Sequence, residues 1–226
     1  MTFKSKKLHL GCALNTPEGW LHLDGSWNAW VSKYSPIRNL LKYINIIPKK
    51  FANLPWDPNI FIHDVTKPLP FRDNSFSAIY ASHLLEHLYL EEAKALLKEC
   101  HRVLESQGIL RIVVPDLKAI VFDYLEGNKT LNSKETVNRA DKLNQRLQLR
   151  SPHRPSGNII FRIYTAFKDF HSHKWVYDSI SLINYFRWTG FIDVNEMRFH
   201  QSRIDRIEEI EKPCMNAEIC VEGLKP

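Results

Sequence analysis

Short apolar runs separated by turn residues dominate the first part of the chain. Leu8 to Leu10 has leucine at both ends and stops at Gly11, and Trp20 to Asp24 alternates and ends at an acid. Two further runs, Ile60 to Ile62 and Ala78 to Ala81, follow. Runs of this length bounded by Gly, Pro, Asn and Asp predict four strands. Residues 25–58 show no clear period and are expected to be irregular, with one helix near 37–46.

Further along the chain, the spacing of the apolar residues changes to that of a helix. Apolar residues recur at spacings of three and four from Ala93 to Leu104, which predicts a helix of about 14 residues starting near Leu90. The run ILRIVV at 109–114 is apolar and rich in β-branched residues, as in a parallel strand buried on both faces. Alternation of strands with helices or loops predicts an α/β fold with a mostly parallel sheet.

The C-terminal part predicts one helix and two closing strands. Asp178 is placed to cap a helix that ends at Gly190. Four apolar residues of this helix are expected to point inward: Ile180, Leu182, Ile183 and Phe186. Phe191 to Met197 and Ala217 to Val221 are the expected strands, joined through the charged stretch 203–212.

Length and charge add a domain prediction and a partner prediction. A chain of 226 residues fits one domain, 1–226, in which 118–175 interrupts the strand and helix rhythm as an insertion. The net charge is +6, and eight Lys or Arg residues but only two Asp lie between Arg139 and Lys174. This basic segment favours either an anionic partner or a solvated helix face.

The cysteine spacing and the hydropathy pattern argue against a zinc-binding, disulfide-rich or membrane-spanning protein. Cys12, Cys100, Cys214 and Cys220 show no CxxC spacing, so neither a zinc framework nor disulfides are expected. The first residues are basic, but no apolar stretch of the kind found in a signal peptide follows them. No apolar run in the sequence reaches the roughly 18 residues that a membrane span needs. We therefore expect a cytoplasmic protein with free thiols and no integral membrane contact.

Small or acidic residues follow four predicted strands: Gly11, Asp24, Asp64 and Ser82. In an open parallel sheet, ligands bind at the carboxyl edge, where such residues meet. Gly11 allows close approach of backbone to ligand, and the Asp24 carboxylate can accept hydrogen bonds from both hydroxyls of a ribose. Asp64, followed by the apolar Val65, can accept from the exocyclic amine of a base. These positions predict a nucleoside-type site.

Two motifs carry a family resemblance. DVTKPLPFRDNSFSAIYASHLLEHL (64–88) and ECHRVLESQGILRIVVPDL (99–117) resemble class I S-adenosylmethionine-dependent methyltransferases of the small bacterial type. HKWVYDSISLINYFRWTGF (173–191) is similar to the last helix of that family. The resemblance implies a Rossmann-like three-layer sandwich, with a mostly parallel seven-stranded sheet and an antiparallel C-terminal strand, and S-adenosyl-L-methionine as cofactor.

The resemblance also implies roles for individual residues. Those expected to bind the cofactor are Gly11, Cys12 and Ala13 at the methionine part, Asp24 and Gly25 at the ribose, Asp64 and Val65 at the adenine, and Ser82 and His83 at the methyl-transfer pocket. The sequence departs from the family at Ala13, where a Gly is usual, and at Ser77, where an Asp is usual. Ala13 obstructs the site only if it must adopt positive φ.

Histidines are the candidate bases, because their ordinary pKa suits proton transfer near neutral pH. His83, His171 and His173 are the expected catalytic residues, and a structural role is favoured for His87. His171 and His173 would share a face of a strand but lack a clear third ligand, so no metal is expected.

The expected function is methyl transfer to an oxygen or nitrogen of an acceptor, such as a saccharide or another small molecule with negative charge. Residues 118–175 would form a cap over the pocket, with Arg and Lys side chains gripping the acceptor. Two alternatives stay open: an inactive methyltransferase-like binding protein, and an RNA-modifying methyltransferase that docks through 139–174.

Overall fold

The structure is a computed structural model that describes residues 6–34, 43, 55–126, 139–148, 172–212 and 217–226. Its helices and strands, in chain order, are β1 (Lys7–Leu10), β2 (Trp20–Asp24), α1 (Trp27–Lys33), β3 (Phe61–Ile62), β4 (Phe76–Ser82), α2 (Leu90–Val103), β5 (Leu104–Pro115), α3 (Leu117–Glu126), α4 (Arg139–Leu147), α5 (Ser179–Thr189), β6 (Ile192–Met197) and β7 (Glu218–Leu224). Single 3-10 turns lie at Leu85–His87 and Ile207–Glu209.

The seven strands form one sheet in the order β3-β2-β1-β4-β5-β7-β6. Strands β1 to β5 pair in parallel, and β7 runs antiparallel to both β5 and β6. This confirms the Rossmann-like sheet with an antiparallel C-terminal strand. The strand order reverses between β1 and β4, and such a switch point is where ligands bind in open sheets of this kind.

The strand register sets the position of the candidate site. Leu10 pairs with Leu23 on one side and with Ala81 on the other. The residues that follow these three, Gly11, Asp24 and Ser82, therefore emerge together at one edge of the sheet. The sequence prediction of a shared edge is confirmed for these strands.

Apolar side chains cover both faces of the sheet, as the continuous run in β5 predicts. On β4, Ile79 packs into the larger core with helices α2 and α5, whereas Tyr80 points to the opposite face. That second face packs against Ile204 and Ile207 from the segment before β7. The central strands are therefore buried on both sides.

Most predicted elements agree with the structure. Helix α2 begins at Leu90 and ends at Val103, as its period predicts. Asp178 caps α5 by accepting a hydrogen bond from the Ser181 N–H, and Gly190 ends the helix with a φ of 106°. Strand β5 begins at Leu104, ahead of the expected start at Ile109.

Two expectations are corrected. Residues 27–33 form helix α1, where an irregular segment was expected; Ser26 caps it by accepting a hydrogen bond from the Ala29 N–H. Ile180 was expected to point inward but is 70% exposed, because α5 packs through Leu182 and Phe186 on another side. The helix expected near 37–46 lies outside the described residues apart from position 43.

Two helices of the expected insertion lie within the described residues. Helices α3 and α4 pack against each other, and an ion pair joins Arg146 to Asp123. Within 118–175, the structure describes 118–126, 139–148 and 172–175, and the other residues of this segment lie outside the described ranges. The cap therefore stays a prediction. No helix among the described residues is long and apolar enough to cross a membrane.

Candidate cofactor and methyl-transfer site

The loop after β1 turns sharply at Gly11. Its φ is 65°, and the N–H groups of Gly11 and Cys12 both donate to the Leu23 carbonyl, at 2.8 and 3.3 Å. A Cβ at Gly11 would meet Leu84 Cδ1 at 3.1 Å, so a side chain there would be crowded as well as strained. The turn and the neighbouring Leu84 therefore favour glycine at this position, and the close approach of Gly11 to a ligand stays a prediction.

Asp24 holds this loop from the neighbouring strand. Its Oδ2 accepts from the Ala13 N–H at 2.9 Å, and its Oδ1 accepts from the Ser26 N–H at 2.7 Å. The side chain is 5% exposed. Asp24 thus fixes both the β1 loop and the start of α1, a role that the sequence analysis did not anticipate.

Ala13 adopts a φ of 46°, which is the left-handed region that favours glycine. The condition under which Ala13 was expected to matter is therefore met. An alanine in this region costs roughly 1–2 kcal/mol relative to the right-handed conformation. Cys12, beside it, is buried, and this burial raises the pKa of its thiol to about 12, so it stays protonated at neutral pH.

The residues around β3 border the same edge. A Cβ at Gly25 would lie 2.4 Å from the His63 carbonyl oxygen, so only glycine allows the two backbones to approach so closely. Asp64 is exposed, and its Oδ1 accepts from the N–H and hydroxyl of Thr66 at 2.9 and 2.8 Å. Val65 packs partly against the main core. Asp64 therefore stabilises the turn that follows it, at the border of the candidate site.

His83, directly after β4, lies between two carboxylates. Its Nδ1 is 3.0 Å from Glu86 Oε1, and its Nε2 is hydrogen-bonded to Glu218 Oε1. The hydrogen bonds to Glu218 and Glu86 raise the pKa of His83 to about 10. The ring is then an imidazolium at neutral pH, with no lone pair to accept a proton. A charged ring can donate a proton but cannot accept one; the catalytic role expected for His83 stays a prediction.

His173 reaches the same place from the far end of the insertion. The Lys174 and Trp175 N–H groups donate to the Glu86 carbonyl at 2.7 and 3.3 Å, and His173 Nε2 lies 3.9 Å from Glu86 Oε1. Burial lowers the pKa of His173, so its ring is neutral at neutral pH. His171 lies outside the described residues. Among the described candidates, His173 has the protonation state of a base.

Sequence reasoning missed two acids of this site. Glu86 is completely buried, and its place three residues after His83 in HLLEHL was an available signal. Glu218 lies 135 residues from His83 in sequence and arrives through the pairing of β7 with β5, where it stands opposite Pro115. Nothing local in the sequence indicates that contact.

One family match covers part of the chain. Residues 41–112 match a family described as a methyltransferase domain. The match covers only part of the chain, and it includes the motif at 64–88 and the parallel strands β4 and β5 up to residue 112. The family expected from the sequence motifs is confirmed.

Solved structures with a similar chain path include methyltransferases. "PigF with SAH" and the S-adenosylmethionine-dependent methyltransferase SibL are each 13% identical over 98% of this chain, with TM-scores of 0.46 and 0.47. A SAM-dependent methyltransferase from Archaeoglobus fulgidus is 13% identical over 99% of this chain and 87% of its own, with a TM-score of 0.45. The chain spans 50% of the length of the first two. No curated protein matches the sequence.

Proposed function

We propose that this protein transfers the methyl group of S-adenosyl-L-methionine to an oxygen or nitrogen atom of a small acceptor. The observation that carries the proposal is the meeting of Gly11, Asp24 and Ser82 at the switch point of the sheet. It occurs in a chain whose residues 41–112 match a methyltransferase domain.

The residues of this edge fit the cofactor. Gly11 is proposed to approach the methionine part, and Asp24 is proposed to bind the ribose. Each Asp24 oxygen accepts one protein hydrogen bond and keeps a further acceptor position, so the loop-holding role and a ribose role are compatible. Asp64 and Val65, beside β3, border the position proposed for the adenine.

The protein's contribution to the chemistry is mainly orientation. The cofactor supplies a methyl group already activated on a sulfonium. The chain must hold the acceptor atom in line with it, and such positioning removes several kcal/mol of the barrier. When the acceptor atom bonds to the methyl carbon, the bond from carbon to sulfur breaks and the acceptor gives up its proton. The neutral imidazole of His173 is the proposed acceptor of that proton.

The acceptor is proposed to be an anionic small molecule, such as a saccharide. The support is the concentration of positive charge between Arg139 and Lys174, which includes Lys142 and Arg146 on α4 and leads directly into the His173 segment. Arginine and lysine there are suited to bind a carboxylate or phosphate.

Transfer of a labelled methyl group tests this proposal. The purified chain is incubated with methyl-labelled S-adenosylmethionine and separate panels of acidic saccharides, hydroxy acids, amines and RNA. Label on a hydroxyl or amine of a small anionic acceptor is the expected result. Label found only on RNA would show that the acceptor is RNA and not a small anionic molecule. Binding of the cofactor with no transfer to any panel would favour the inactive binding protein.

A further inference from the structure

Three potential metal ligands lie close together next to the candidate methyl-transfer site. Glu86, His87 and His173 each offer a ligand atom, and these atoms all lie within 4.8 Å of one another. Glu86 and His87 are neighbours on one 3-10 turn. The sequence analysis expected no metal because the pair of His171 and His173 lacked a third ligand, and this turn supplies the missing groups.

The chain is built to bring these residues together. The Glu86 carbonyl accepts from two successive N–H groups of Lys174 and Trp175, and Lys174 Nζ donates to the His87 carbonyl at 2.8 Å. Hydrogen bonds to the Glu86 and His87 carbonyls therefore hold the segment that carries His173 against the turn. The His87 and His173 rings meet edge to face, with their centres 5.1 Å apart.

Two atoms of the cluster have no hydrogen-bond partner among the described residues. They are Glu86 Oε2 and His173 Nδ1, on side chains that are 0% and 5% exposed. Leaving a buried polar atom unsatisfied costs about 1–3 kcal/mol, and more for a charged group. Buried groups of this kind in native proteins call for a ligand, an ion or a water molecule to explain them.

We propose that Glu86, His87 and His173 bind a divalent transition-metal ion. Two imidazoles and one carboxylate form a ligand set of catalytic zinc and of open iron sites, whereas magnesium and calcium prefer oxygen ligands alone. Glu86 Oε1 is already bonded to His83, so Oε2 is the oxygen available to the ion. His83 then acts as a support that orients the ligating carboxylate, as such outer partners do in metal sites.

Three protein ligands leave a coordination position open. Resting on the proposed function, this position would bind a hydroxyl oxygen of the acceptor and lower its pKa. With the His173 imidazole bound to the ion, the hydroxyl proton would leave to solvent water instead of to His173, the oxygen would bond to the methyl carbon, and the bond from carbon to sulfur would break. The site therefore favours an oxygen acceptor over a nitrogen acceptor.

Zinc binding by the whole chain tests the site. Protein stripped with a chelator and dialysed is titrated with zinc chloride by calorimetry, and with cobalt(II) by visible absorption. One ion per chain is expected, with the cobalt spectrum of a site containing nitrogen ligands. Glu86→Gln and His173→Ala should each weaken zinc binding at least about tenfold, the lower end of what even supporting residues cost.

His101→Ala is the matched control. His101 also has a buried ring nitrogen without a hydrogen-bond partner among the described residues, but it faces Gly190 and Phe191, away from the cluster. This variant should bind zinc like the parent. Circular dichroism and the thermal midpoint establish that each variant is folded; if Glu86→Gln does not fold, His173→Ala decides.

Two results would overturn the metal site. One is a folded parent that binds neither zinc nor cobalt, which would leave water as the partner of the buried atoms. The other is a folded Glu86 or His173 variant that binds zinc as the parent does. S-adenosylhomocysteine is titrated in the same samples to separate the two proposals. Cofactor binding without zinc contradicts only the metal site, and zinc binding without cofactor contradicts only the proposed function.

Discussion

The Ala13 N–H donates a hydrogen bond to Asp24 Oδ2 at 2.9 Å, and this contact joins the loop after β1 to the end of β2. The conformation of the loop after β1 therefore depends on the Asp24 carboxylate. Ala13 is held in the left-handed region by an acid that also holds Ser26. The residue that departs from the family pattern is thus part of the candidate cofactor site itself.

Ala13→Gly should raise the free energy of unfolding. Glycine removes the cost of positive φ, roughly 1–2 kcal/mol, and loses part of that gain through its more flexible unfolded state. The expected net gain is up to about 1 kcal/mol, measured by urea unfolding. Gly25→Ala is the opposite case, because its Cβ would meet the His63 carbonyl at 2.4 Å, and it should destabilise. A loss of stability in Ala13→Gly would show that its φ carries no strain.

His83 should titrate far above an ordinary histidine. In chelator-treated protein, nuclear magnetic resonance of the ring should give a pKa of about 10, because Glu218 and Glu86 stabilise the charged form. Since the folded pKa lies above the unfolded value of 6.5, this stabilisation is complete below pH 6.5 and is lost as pH rises through 10.

The test variant for this prediction is Glu218→Gln. It removes the larger cause of the shift and should lower the pKa of His83 while leaving the Glu86 contact in place. A parent His83 that titrates near 6.5, or a value that Glu218→Gln does not change, would remove the positioning role assigned to this ring.

The buried pair of His9 and His22 should make the fold sensitive to acid. His9 Nδ1 lies 3.3 Å from His22 Nδ1, and burial, with the neighbouring His22, lowers the pKa of His9 to about 3. The unfolded chain binds this proton near pH 6.5, so stability is full above 6.5 and falls as pH drops toward 3.

Chemical unfolding between neutral pH and pH 5 measures this dependence. His9→Phe, which removes the buried titrating ring, should flatten the dependence over that window. An unchanged slope in His9→Phe would assign the acid sensitivity to other groups.

Arg111→Met should be the most destabilising of these changes. Arg111 is completely buried on β5, and its five N–H groups are all used: by Glu211, twice, by Glu222, and by the carbonyls of Gln201 and Arg198. Removing it leaves two buried carboxylates uncompensated, at a cost of about 3–5 kcal/mol.

An exposed arginine is the control for that measurement. Arg206 forms an ion pair with Glu209 on the surface, where solvent screens the interaction, so Arg206→Met should change stability little. Equal effects of the two substitutions on urea unfolding would contradict the importance of the buried network.

The sequence predicted what depends on local pattern. Alternation and burial gave the strands, and the strand ends gave Gly11, Asp24 and Ser82, since parallel strands end at a shared edge. It missed Glu218 and the Arg111 network because both depend on the antiparallel return of β7, which joins residues far apart in the chain. It also missed helix α1, since the seven residues from Trp27 to Lys33 are too few to show a clear helical period.

The central claim is tested most directly by calorimetric titration of the purified chain with S-adenosylhomocysteine. Binding of one molecule per chain is predicted, and Asp24→Ala should weaken it at least about tenfold, as expected for loss of a hydrogen bond to a charged group. Asp205→Ala, beside Lys7 at the other end of β1, should bind like the parent. Folded parent protein that does not bind, or a folded Asp24→Ala variant of undiminished affinity, would contradict the account.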